Sequence, residues 1–173
     1  MSTLITTTVQ GIQNIKYDAS TTAMTITSAG VVTEPLKPTF RATAASQTLS
    51  HGTWTLADAN GTTYNRGNDY NTSTKKFIAP VAGAYFFYGR WFGSANAGRG
   101  SSAIYLNGTL VAQNLTPMSN INGGTQHSVE HIQNCNVNDE VQWYIYQESG
   151  GNVTTNASLS LIHISEPTRQ EAI

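Results

Sequence analysis

"FIAPVAGAYFFYG", Phe77 to Gly89, decides how the chain is read. It is the most hydrophobic run in the sequence, yet Pro80, Gly83 and Gly89 interrupt it. A helix does not tolerate that, because Pro80 lacks an N–H and Gly83 lowers helix propensity. Two strands with a corner between them do. Phe77 to Ala79 ends one strand, Pro80 to Gly83 turns, and Ala84 to Trp91 runs as the next. By period two, Tyr85 and Phe87 share one face and Phe86 and Tyr88 the other. A strand with aromatics on both faces has something apolar on both sides.

Strand signals arrive at short intervals from Thr39. "TFRATAA" opens, "GTWTLA" follows a turn at His51-Gly52, and "KKFIA" precedes the aromatic run. "SSAIYLNGTLVAQNL" reads as a hairpin, since Asn107-Gly108 suits the positive φ angles of a type I′ turn. "QHSVEHIQ" and "EVQWYIYQE" come next, joined by the turn "NVND". No stretch carries a helical period of useful length. The spacing predicts an all-β fold, a sandwich or barrel.

Composition narrows the function classes. Only 11% of the 173 residues are charged and the formal net charge is −1, so there is no basic footprint for nucleic acid. No run is long enough to span a membrane as a helix, so no membrane insertion is expected. The start, "MSTLITTTVQG", has neither a basic region nor a long apolar region, so no signal peptide is visible. Cys135 is the only cysteine. It forms no internal disulfide and reads as a small buried hydrophobe.

The order of residues resembles the signature of the complement C-one-q-like globular head, which shares its jelly roll with the tumour necrosis factor superfamily. The matching residues are Asn65, Tyr70, Phe77, Gly83, Tyr85 and Phe87, at the family's spacings. The family pattern also has Phe six residues before Asn65 and an aromatic two after Phe87; here those places hold Ala59 and Gly89. The resemblance covers about residues 37 to 158. It implies a jelly-roll β-sandwich with Tyr70, Phe77, Gly83, Tyr85 and Phe87 in structural core positions. It also implies a homotrimer around a threefold axis, which would cover the second face of the aromatic strand.

Three segments follow. Residues 1 to 35 form a Thr-rich, β-rich arm whose short runs lack the large apolar residues to bury a core alone. "TEPLKP", Thr33 to Pro38, links it to the head, residues 36 to 158. The arm resembles the short leaders of tailed-phage virion proteins, which attach or trimerise small β heads. There is no Gly-X-Y repeat of the kind that forms a collagen stalk. Residues 159 to 173 stand apart. "LSLIHISEPTR", Leu159 to Arg169, is similar to the translation of one frame of a common transposase sequencing adapter, which implies no functional role for residues 159 to 173. Its alternation still predicts a strand near Ser158 to Ile164, which fills the last slot of the sheet, followed by an unpaired end from Ser165 onward, with Glu166-Pro167 helping to stop the strand.

There is no Gly-x-Ser-x-Gly elbow, His-Glu-x-x-His helix or phosphate loop, so no enzyme is expected. His127 and His131 share a strand face with Glu130 on the other, which reads as an exposed polar face rather than a metal site. Asp139 and Glu140 read as a structural turn. Asp58 and Asp69 lie in loops where calcium could bind, but two carboxylates do not make a site, and no cofactor or metal is expected. Recognition in such folds sits in loops. "NAGRGS" and "MSNINGGTQ" therefore supply the candidate binding residues Asn96, Arg99, Asn120, Asn122 and Gln126.

The expected role is a non-enzymatic phage virion accessory or fibre-tip protein, localised to the virion. Its partners would be tail or capsid proteins and a host-surface glycan or protein. The alternatives are a purely structural capsid or tail decoration or trimerisation module, and a secreted bacterial adhesion module.

Overall fold

The computed structural model describes residues 13–16, 18–34, 36–120 and 124–155, together with the backbone of 159–165. The chain divides into two compact units, Met1–Lys37 and Pro38–Ile173.

In the first unit, β1 (Asn14–Lys16), β2 (Thr22–Ile26) and β3 (Val32–Thr33) form an antiparallel sheet in that order. The Asp18 carboxylate closes the first turn by accepting from the N–H groups of Ser20 (2.8 Å) and Thr21 (2.7 Å). Those hydrogen bonds hold its pKa down to about 2. Gly30, at φ +76°, makes the second turn. None of the described residues between 13 and 34 is buried, as the shortage of large apolar side chains predicts.

The second unit is a β-sandwich. One sheet runs β13-β10-β16-β4-β7, and all its pairs are antiparallel. Its members are β4 (Thr39–Ala44), β7 (Gly61–Arg66), β10 (Gly83–Gly93), β13 (Thr125–Cys135) and β16 (Leu159–Ser165). The other runs β12-β11-β14-β9-β8, with β6 also paired to β14. Its members are β6 (Thr55–Leu56), β8 (Tyr70–Asn71), β9 (Lys76–Ile78), β11 (Arg99–Leu106), β12 (Thr109–Pro117) and β14 (Glu140–Gln147). A short pair, β5 (Thr48–Leu49) with β15 (Val153–Thr154), forms a separate two-stranded sheet.

The corner at Pro80 separates β9 from β10, as the breakers require. Burial alternates strictly along most of β10: Tyr85, Phe87 and Trp91 are inside, while Phe86, Tyr88, Arg90 and Phe92 are half-buried outside. Val141, Trp143 and Ile145 of β14 alternate in the same way from the opposite sheet. At one end the core is an aromatic stack. Phe40 lies 4.7 Å from Tyr70 and 5.3 Å from Phe77, centroid to centroid, and Phe77 lies 5.4 Å from Tyr85. The family's core positions are thus filled by Tyr70, Phe77, Tyr85 and Phe87, each at most 2% exposed. Gly83, which begins β10, is half-buried.

The departure from the family pattern at Gly89 has a local cause. At Gly89 the Trp143 indole occupies the space that an aromatic there would take. Ala59 is buried, and its carbonyl accepts the Tyr70 hydroxyl at 2.7 Å. The Asn107-Gly108 hairpin is present, with φ of +50° and +78°. Strand β16 pairs β10 on one side and β4 on the other. The sequence predicts that strand from Ser158, which lies outside the described residues, and an unpaired end from Ser165; instead Ser165 still pairs with Tyr85, because the ladder to β10 runs one residue further, and everything after it lies outside the described residues.

Candidate functional site

The loop residues named from the sequence do not all come together. Asn96 and Asn120 meet: the Asn120 amide donates to the Asn96 side-chain oxygen, and both are exposed. The Met118 N–H donates to the Gly98 carbonyl at 2.9 Å, which ties the two loops at one end of the sandwich. The loop after β14 joins them. Gly98, at φ +91°, runs so close that a Cβ would lie 2.2 Å from the Glu148 carbonyl. Asn122 lies outside the described residues.

Arg99 and Gln126 belong to strands and face different layers. Arg99 begins β11, and its guanidinium pairs with the Glu148 carboxylate. The Tyr146 hydroxyl donates to the other oxygen of Glu148 at 3.0 Å. These hydrogen bonds, Arg99 first and then Tyr146, hold the Glu148 pKa below the ordinary carboxylate range. Gln126 stands on the outward face of β13, where its amide reaches the Tyr88 hydroxyl at 3.5 Å.

The expectation of an exposed histidine face fails at His127, which is fully buried. Its position on β13 points inward at the crowded end of the core, where it packs on Trp91 at 4.5 Å. It shares a 2.6 Å hydrogen bond through Nδ1 with Thr116 Oγ1. Gly100 makes the room, because a Cβ there would sit 2.6 Å from the imidazole. Burial pushes the His127 pKa down to about 4, so the ring is neutral at ordinary pH. A polar residue in a strand pattern predicts a solvent-facing side chain; Gly100, which makes room for the ring, comes from another strand and leaves no mark beside His127 in the sequence. His131 remains half-buried and hydrogen-bonds Gln133 at 3.1 Å.

Among the described residues no three His, Cys, Asp or Glu side chains stand together as metal ligands. Asp58 pairs with Lys75 at 3.1 Å, and burial raises the Asp69 pKa. Asp139 has a structural part. It accepts from the Asn136 N–H at 2.7 Å and the Asn107 amide at 2.9 Å, and Asn107 in turn accepts from the Glu140 N–H at 2.8 Å. Cys135 is buried, and its thiol is pushed up to about 11.

Two sheets, the aromatic core and a site built from strand ends rather than catalytic groups are thus in place. The model of the C1q domain, the complement C-one-q-like head, matches residues 39–161. The chain belongs to the C1q domain family. The globular domain of zebrafish complement 1qA protein is a similar solved structure. It is 14% identical with a TM-score of 0.48, over 74% of this chain and 96% of that one. No curated protein matches. The C1q domain is a non-catalytic β-domain, so the chain is a non-enzymatic member of a C1q and tumour necrosis factor-like fold class.

Proposed function

We propose that the protein is an accessory or fibre-tip component of a phage virion, assembled in the host cytoplasm, with a homotrimeric C1q-type head that binds a glycan or protein on the host surface. The supporting observation is the outward face of β10 and β13. Phe86, Tyr88 and Phe92 stand half-buried on it, and Ile132, directly across from Phe86, is 67% exposed. A patch of this kind is what closed cyclic assemblies bury. The first unit adds Ile15 and Val32 of its sheet and Val31 beside it, all exposed, and none of its described residues between 13 and 34 is buried, as suits an arm that is covered by tail or capsid proteins or by its own copies. The virion setting draws on the likeness of that Thr-rich arm to phage leaders.

We further infer that Leu159 to Ile173 is encoded by adapter DNA. Its first residues fill the slot between β10 and β4 through backbone pairing, which needs no particular side chains. An intact genomic copy encoding the same ending would contradict this.

The test of function is binding of labelled full-length protein to a panel of bacterial cells, with its mass followed by light scattering. Saturable binding by a trimer supports recognition. A trimer that binds no cell favours a purely structural decoration of the particle.

A further inference from the structure

The outward face of the six-stranded sheet carries a second aromatic cluster, on the layer opposite the β10–β13 patch. Because Val141, Trp143 and Ile145 point inward, Tyr144 and Tyr146 point outward. Tyr105 of β11, opposite Gln142, stands on the same face. Tyr105 lies 4.5 Å from Tyr144. Trp54, just before β6, lies 5.0 Å from Tyr146 and 6.3 Å from Tyr105. All four rings are half-buried, so each keeps part of its surface toward solvent. At one edge the Tyr146 hydroxyl leads into the Glu148–Arg99 pair, whose side chains are 26% and 54% exposed.

We propose that this cluster is a binding platform for a neutral carbohydrate. The proposal rests on the reading of the head as a recognition module and assigns its ligand class and site. Aromatic rings offer broad apolar surface to the C–H face of a sugar, while their hydroxyl ends remain able to hydrogen-bond. The edge supplies what the sugar's hydroxyls need. The Glu148 carboxylate, with about four lone-pair sites, has acceptor capacity beyond Arg99 and Tyr146, and the guanidinium has donors beyond its single contact. Broad aromatic surface with a few convergent polar groups is the make-up of a small-ligand site. An anionic polymer is disfavoured, because Arg99 at this edge is already balanced by Glu148 and the chain as a whole has a formal charge of −1. In the proposed trimer this face remains outside, so the platforms are presented together and weak single-site binding is raised by multivalency.

The experiment uses the full-length chain on an array of immobilised neutral hexose and N-acetylhexosamine oligosaccharides, read beside whole-cell binding. Wild type should bind a subset of the neutral glycans. Trp54→Ala and Glu148→Gln should each weaken that binding by about tenfold or more, and Glu148→Gln should leave the thermal midpoint nearly unchanged. Should Trp54→Ala fold poorly, Trp54→Phe with Glu148→Gln carries the same test. Glycan binding unchanged in these variants overturns the site and leaves the recognition reading intact. Cell binding without any binding to neutral glycans overturns the ligand class and points to a protein receptor. Loss of both cell and glycan binding in wild type removes the recognition reading itself.

Discussion

The indole of Trp143 lies across the backbone of Gly89, so that a Cβ on Gly89 would stand 2.7 Å from Nε1. That nitrogen also donates to Ser102 Oγ at 2.6 Å, which fixes the ring's position between the two sheets. Trp143 is 2% exposed and has nowhere to retreat. Gly89→Ala should therefore destabilise the head by roughly 1–3 kcal/mol through overpacking. Urea melts read it directly, and a companion Trp143→Phe change should recover part of the loss. A neutral Gly89→Ala would mean that the two sheets are not held apart by this contact.

Tyr85 and Phe87 are each at most 1% exposed and pack on Phe77 at 5.4 and 5.6 Å. Truncating either to Ala should cost about 3–5 kcal/mol. Denaturant midpoints at unchanged slope would measure it. A cost below about 1 kcal/mol would put the register of β10 in error.

These positions were legible because their signals are local. Pro80 and Gly83 forbid a helix, Asn107-Gly108 specifies its own turn, and the aromatic spacing from Asn65 to Phe87 repeats a known arrangement. His127 was not legible, since its burial depends on Gly100 and Thr116, which reach it from other strands. The site residues suffered for the same reason. Loop composition brought Asn96 and Asn120 to one end, but Arg99 and Gln126 lie on strands whose facing is set by the pairing of whole sheets. The cluster of Trp54, Tyr105, Tyr144 and Tyr146 draws on three separated segments, and only its "WYIY" alternation is visible in a row of letters.

His127 should make stability fall with acid. Its pKa is about 4 when folded against 6.5 as an ordinary histidine, so below pH 6.5 the unfolded chain takes up a proton that the folded chain does not. The stability held by the neutral ring is complete above that pH and is lost as the pH falls toward 4. The loss is on the order of 3 kcal/mol. In urea melts across that window, His127→Phe, which keeps a ring against Trp91 but cannot be protonated, should flatten the curve. An equally steep curve in His127→Phe would assign the pH dependence to other groups.

The trimer depends on what covers Phe86, Tyr88 and Ile132 on the outward face of β10 and β13. The most direct test is the mass of the full-length protein by light scattering at micromolar concentration, with Ile132→Arg beside the wild type. The expected result is three times the chain mass for wild type and a shift toward the monomer for Ile132→Arg. A wild-type protein that stays folded at the mass of a single chain would contradict it.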